Sequence, residues 1–138
     1  MLTLFYALNT CSLASHIALE DSGAAYDAKR LNFADNDQRK SEYLKINPKG
    51  RVPALVTDQG ILTETPAILV YIAQSFPRAN LASLNDPFSL GQIQSFNSYL
   101  CSTVHPAHAH RMRGYRWSDD EVAQESMKKK VPQNVGDC

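Results

Sequence analysis

The chain is short of nearly everything that would point to a charged or lipid partner. Its fourteen basic residues are balanced by fourteen acidic ones. Beyond Phe76, Arg78, Arg111, Arg113, Arg116, Lys128, Lys129 and Lys130 stand against Asp86, Asp119, Asp120, Glu121, Glu125 and Asp137, so neither half is biased. Without a basic field, nucleic acid and anionic membrane surfaces gain no electrostatic support as partners. No apolar run approaches membrane-spanning length, and Met1-Leu2-Thr3-Leu4 lacks the positive start of a signal peptide. Cysteine is scarce and odd in number, three in all. That argues against a disulfide framework and for a reducing, cytoplasmic setting. Repeats and low-complexity segments are missing too. What is there is ordinary globular material: 138 residues, 43% hydrophobic and 20% charged. That length suits one domain, or a small domain plus part of another.

Leu2 to Tyr6 is a short apolar run with an aromatic pair, the pattern of a buried strand. Asn9-Thr10 turns the chain into a helix expected to place Leu13, Ile17 and Ala18 on one face and to stop at Gly23. Tyr26 to Leu31 is a more polar strand expected next to the sheet edge. After a charged loop, Asn36 to Lys40, comes a short helix around Ser41 to Ile46. Ala54–Thr57 and Ile61–Thr63 flank Asp58-Gln59-Gly60, a hairpin signal. Pro66 to Ser75 reads as the next helix, with Thr65 as its N-cap and Pro66 at its first position. The order β-α-β-α-β-β-α makes a small mixed sheet with helices on its faces.

Phe76 to Pro87 reads as a linker. Phe88, Ile93, Phe96, Leu100 and Val104 then recur at helical spacing, predicting an amphipathic helix that Pro106 should bend or end. Ser118-Asp119-Asp120-Glu121 has the form of a capping box for a last helix reaching about Val131. Two such helices without further partners bury little.

Two stretches carry the chemistry: Asn47-Pro48-Lys49-Gly50-Arg51-Val52-Pro53-Ala54-Leu55, and Glu64-Thr65-Pro66-Ala67-Ile68-Leu69. The first turns on Pro48 and Gly50 and delivers Val52-Pro53 to a strand. The second opens a helix, whose unpaired N–H groups bind carboxylates well. A backbone edge beside an anion-binding helix start suits a small peptide-like ligand. At these residues the chain resembles the glutathione S-transferase superfamily. Tyr6-Ala7-Leu8-Asn9-Thr10-Cys11-Ser12-Leu13 is similar to the bacterial, beta-class-like segment Tyr-x-x-x-x-Cys-Ser-Leu, with Leu8-Asn9 where Pro-Gly is common.

The resemblance implies an α/β thioredoxin-like, glutathione-binding domain over residues 1–76, a linker over 77–87 and a partial all-helical domain over 88–138. Relatives carry several more helices, so the chain looks truncated within the helical domain; a naturally short product and a fragment both fit. The implied activity is attack of glutathione thiolate on a small hydrophobic electrophile, as in detoxification, by a homodimer, with glutathione as co-substrate and no metal.

Cys11 stands at a helix start, where a thiolate is stabilised. Position alone leaves two readings, a reactive thiol and a small residue packing the turn. The resemblance implies that it lies beside the glutathione sulfur and can form a mixed disulfide with it. Ser12 and Tyr6 compete for the thiol site through their hydroxyls, against an ordinary helix-start bond and strand packing respectively. The resemblance implies a cis bond before Pro53, turning the Val52 N–H and C=O toward the ligand's cysteinyl backbone. Glu64 would pair with the γ-glutamyl α-ammonium, and Thr65 would meet its α-carboxylate. His105 is implied to face the sulfur. Cys101, His105 and His108 also share a conceivable metal face, but Pro106 and the missing carboxylate argue against zinc. Arg111, Arg113 and Arg116 suit a solvated face or a domain or dimer contact, and Trp117 a packing anchor. Thiol–disulfide chemistry through Cys11, in which Ala14 stands where Cys-x-x-Cys would need a cysteine, and a non-catalytic binding module are the alternatives.

Overall fold

The structure, a computed structural model, describes residues 1–138. It forms two compact units, Met1–Leu90 and Gly91–Cys138.

In the first unit the elements are β1 (Leu2–Tyr6), α1 (Ser12–Ser22), β2 (Tyr26–Arg30), α2 (Ser41–Leu44), β3 (Ala54–Thr57), β4 (Gly60–Thr63) and α3 (Thr65–Ser75), with a 3-10 turn at Asp37–Arg39 inside the charged loop. The sheet order is β2-β1-β3-β4. β1 runs parallel to β2 and antiparallel to β3, and β3 pairs antiparallel with β4. The alternation of elements predicted the small mixed sheet, and the arrangement is the thioredoxin-like one that the resemblance implied. β2 is the edge itself, and its polar Asp27, Lys29 and Arg30 are exposed, which discourages pairing with another chain.

Leu4, Leu19, Leu55, Ile68 and Ile72 are fully buried between the sheet, α1 and α3. Each contributes about 1.5–3 kcal/mol by leaving water. A second cluster, Ala7, Tyr43, Val52 and Ala54, packs on the other side of the β1–β3 pair with Phe5 and Phe33.

The register of α1 corrects the sequence expectation. Leu13 and Ile17 are 59% and 50% exposed, and the buried face is Ser12, Ser15 and Leu19, with Ala18 half-buried. The cause is the Ser12 hydroxyl: it accepts from the Ala7 N–H and lies 3.2 Å from the Ala7 carbonyl, so the serine face is drawn onto β1. The start of α3 is also shifted. Thr65 is its first helical residue, and Glu64, at φ +72°, occupies the cap position because the chain must reverse sharply out of β4 there.

In the second unit, α4 (Pro87–Tyr99, beginning in the first) leads into a π-helical segment, Leu100–Val104, then α5 (His105–Arg113) and α6 (Glu121–Gly136). Pro106 does not end the helix. It lies in the first turn after the π segment, whose wider turn accommodates the ring and the missing N–H. Pro132 likewise sits inside α6 rather than beyond it, the one forfeited bond lying on an exposed stretch. Asp120, not Ser118, caps α6, accepting from the Val122 N–H at 2.9 Å; Ser118 in turn accepts from the Asp120 N–H. Val131 is the buried hydrophobic of this unit, and Trp117, expected as an anchor, is 56% exposed with its ring 4.6 Å from His110. Arg111 and Arg116 are exposed and Arg113 half-buried. No helix is long and apolar enough to cross a membrane.

Candidate functional site

Strand register brings three turns to one end of the sheet. Phe5 pairs with Ala54, and Ala54 with Thr63, so β1 ends, β3 begins and β4 ends on a single row. The β1–α1 turn with Cys11, the Val52-Pro53 segment and the Glu64-Thr65 corner therefore emerge side by side.

Cys11 occupies the cap position of α1 and is exposed. Its thiol reaches the Val52 carbonyl at 3.6 Å. Ser12, next to it, is fully buried. Its hydroxyl lies 2.7 Å from that of Thr10, and Thr10 donates to the Ala7 carbonyl at 2.9 Å. The two hydroxyls thus knit the β1–α1 turn shut, and Asn9, at φ +56°, supplies the reversal. Tyr6 is half-buried and turned toward His16, ring centroids 4.9 Å apart. So the structure brings Cys11 to Val52, while Ser12 faces inward and Tyr6 packs on α1. His105 opens α5 in the second unit.

The Val52–Pro53 peptide is cis. The loop before it is anchored by two residues that sequence reasoning passed over. Asn47, 1% exposed, donates its amide to the Arg51 carbonyl at 2.7 Å, accepts from the Lys49 N–H at 3.2 Å, and receives the Gly50 N–H on its own carbonyl at 2.9 Å. Tyr43 donates its hydroxyl to the same Arg51 carbonyl at 2.5 Å, and burial pushes its phenol up to about 12. Asn preceding Pro-x-Gly was the available signal, since an Asx side chain folds back onto such turns. Gly50 is required twice over: its φ is +60°, and a Cβ there would lie 2.8 Å from the Gln38 carbonyl oxygen.

At the third turn, the Thr65 hydroxyl is buried and has no hydrogen-bond partner. A lone buried hydroxyl at the positive end of an eleven-residue helix is an unfilled place for an acceptor or an anion. The Glu64 carboxylate is exposed and ion-paired with Lys49, whose ammonium also donates to the Thr63 hydroxyl at 2.8 Å. No sequence signal at a spacing of fifteen residues marked that pair.

An exposed thiol at the first helix start, a strand entrance and an open helix terminus thus share one end of a thioredoxin-like domain. The chain belongs to the glutathione S-transferase family, whose N-terminal domain matches residues 1–74. The glutathione S-transferase GstA of Escherichia coli O157:H7 is 39% identical over 105 residues, 74% of this chain and 52% of that protein. A glutathione transferase homologue from Sulfitobacter, solved with bound glutathione, superposes with a TM-score of 0.94 at 45% identity, over 100% of this chain and 66% of that one. The beta-class glutathione S-transferase of Sphingomonas chungbukensis gives 0.78 at 37% identity, over 98% and 67%. The chain thus spans about half the length of GstA and two thirds of the solved relatives.

Proposed function

We propose that the chain binds glutathione across the three turns and presents its thiolate, beside Cys11, to a small hydrophobic electrophile. The observation that carries this reading is the 3.6 Å approach of the Cys11 sulfur to the Val52 carbonyl. A ligand whose cysteinyl backbone pairs with Val52 leaves its own sulfur next to Cys11. From β1 to β4 is two strand spacings, about 10 Å, which an extended tripeptide covers at about 3.3 Å per residue. Its far end then meets the Thr65 hydroxyl and helix start with its α-carboxylate, and Glu64 with its α-ammonium. The domain supplies position and electrostatic stabilisation of the thiolate rather than covalent chemistry on the electrophile. Tyr6 serves as a wall of the β1–α1 turn and Pro53 as the shaper of the Val52 edge. His105 joins the reading through the family resemblance, as does homodimer formation.

Exposure of Cys11 and burial of Ser12 favour one companion reading, thiol–disulfide exchange. In it the Cys11 thiolate attacks the glutathione sulfur of a mixed disulfide between glutathione and a substrate thiol, forming a Cys11–glutathione disulfide and releasing the substrate thiolate; a second glutathione then regenerates the Cys11 thiol and leaves as glutathione disulfide.

Calorimetric titration of glutathione into the folded chain tests the site. Binding that weakens in Thr65→Ala supports it, and a folded chain that takes up no glutathione refutes it. Cys11→Ser separates the two chemistries: reduction lost with conjugation kept assigns the cysteine to exchange alone.

A further inference from the structure

Lys49 is the residue of the site with no role in the binding scheme above, yet it joins two of the three turns. Its ammonium bridges the Thr63 hydroxyl, at 2.8 Å, and the Glu64 carboxylate. The two side chains are 47% and 62% accessible, fifteen residues apart in sequence. Each end of the bridge is held. Lys49 sits in the turn fixed by Asn47 and Gly50, its own N–H bonded to the Asn47 side chain. Glu64 is set at φ +72° between β4 and α3.

We infer that Lys49 is an internal counter-ion for Glu64, standing where the ligand's α-ammonium would otherwise pair, so that it sets how strongly the site discriminates ligands by their amino group. The inference rests on the glutathione reading of Glu64. An unpaired carboxylate at that corner would sit beside the opening of α3, where a ligand also brings a carboxylate, and the two anions would repel. Lys49 neutralises the first and leaves the helix start, with the unpartnered Thr65 hydroxyl, free for the second. The consequence is a competition. A ligand with an α-ammonium must displace the lysine or share the carboxylate with it. A ligand lacking that group leaves the bridge intact. Lys49 is therefore a positioning residue that lowers selectivity for the free amino group.

The test is calorimetric titration of glutathione and of its des-amino analogue, with hydrogen in place of the α-amino group, into the wild-type chain, Lys49→Met and Lys49→Arg. The site is exposed, so the expected change is that of a surface ion pair. Lys49→Met should tighten glutathione about two- to fivefold with little change for the analogue, raising the ratio between them by that factor. Lys49→Arg keeps the charge and should stay with the wild type. Circular dichroism establishes that each variant is folded; the lysine side chain bears none of the turn's backbone bonds. An unchanged ratio in Lys49→Met, or weaker glutathione binding, overturns the inference and makes Lys49 a bystander or a direct ligand contact. Failure of the folded wild-type chain and both variants to bind glutathione overturns the site reading itself, a separate result.

Discussion

Gly50 offers a quantitative check on the loop that presents Val52, because the same fold contains its control. Gly50 and Gly23 have φ of +60° and +68°, so an alanine at either must adopt left-handed backbone. That costs about 1–2 kcal/mol. They differ in surroundings. A Cβ at Gly23 meets nothing within 4 Å, whereas one at Gly50 lies 2.8 Å from the Gln38 carbonyl oxygen and 3.1 Å from the Arg39 guanidinium. The arginine side chain can swing aside, but the carbonyl is backbone and must shift with its turn. Overpacking of that kind adds about 1–3 kcal/mol. Gly23→Ala should therefore destabilise by about 1–2 kcal/mol and Gly50→Ala by about 2–5 kcal/mol. Urea unfolding followed by far-UV circular dichroism reads both, provided the denaturant slopes agree. Calorimetry should then show glutathione affinity reduced in Gly50→Ala and kept in Gly23→Ala, since only the first glycine shapes the Val52 approach. Equal stability losses at the two positions would refute the close-approach argument. Unchanged affinity in Gly50→Ala would show that the ligand does not depend on this loop.

Ser12→Ala should cost about 1–3 kcal/mol in urea unfolding by leaving the buried Ala7 N–H without its acceptor, against less than about 1 kcal/mol for Cys11→Ala at an exposed site; a neutral Ser12→Ala would remove its frame role. Thr65→Val exchanges an unpartnered buried hydroxyl for a methyl group, so unfolding free energy should hold or rise by about 1 kcal/mol while glutathione binding weakens about tenfold. Loss of stability in that variant would mean the hydroxyl already has a structural partner. The Tyr43 phenol is pushed up to about 12 from the ordinary 10, so the unfolded chain ionises first. Its contribution is fully present below pH 10 and is lost as pH rises toward 12, by about 2 kcal/mol. Unfolding series at pH 9 and about pH 11.5 measure this loss, and Tyr43→Phe should remove that part of the slope; an unchanged slope would place the ionisation elsewhere.

Much of the fold was legible because the strands and the hairpin are local patterns. Leu2–Tyr6, Ala54–Thr57 and the Asp58-Gln59-Gly60 turn follow from periodicity and turn chemistry, and the two motif stretches lead into a strand, β3, and a helix, α3, as expected. The face of α1 was not legible, because apolar spacing pointed to Leu13 and Ile17 while the buried Ser12 decided the matter through hydrogen bonds to the Ala7 backbone at the end of β1. Pro106, expected to bend or end its helix, does not end it, and α6 runs past the expected stop near Val131 for a related reason: a proline inside a helix forfeits one bond, and a neighbouring π turn or an exposed backbone accommodates that. At the site, Cys11, Val52 and Thr65 could be picked out singly; Asn47 left a local signal in the turn it closes, whereas Lys49 acts fourteen and fifteen residues away and left no trace in spacing.

The distribution of backbone strain argues that the end of the sheet bearing these turns is where the sequence has been held to something other than stability. Asn9, Gly50 and Glu64 all have positive φ there, whereas Gly23 and Gly60 serve a helix end and a hairpin at the opposite end. Asparagine and glycine tolerate such backbone; glutamate does not do so readily, and its cost is on the order of 1 kcal/mol or more. Nothing in the packing requires a carboxylate at Glu64, which is exposed and paired only with Lys49. The strain at Glu64 and the empty valence at Thr65 are adjacent in sequence, and both are unfavourable in the free protein. A ligand carrying an ammonium and a carboxylate on one carbon relieves the second and employs the first. On the proposed reading, that joint fit, more than either residue alone, would make the corner select an amino-acid end over a simple anion.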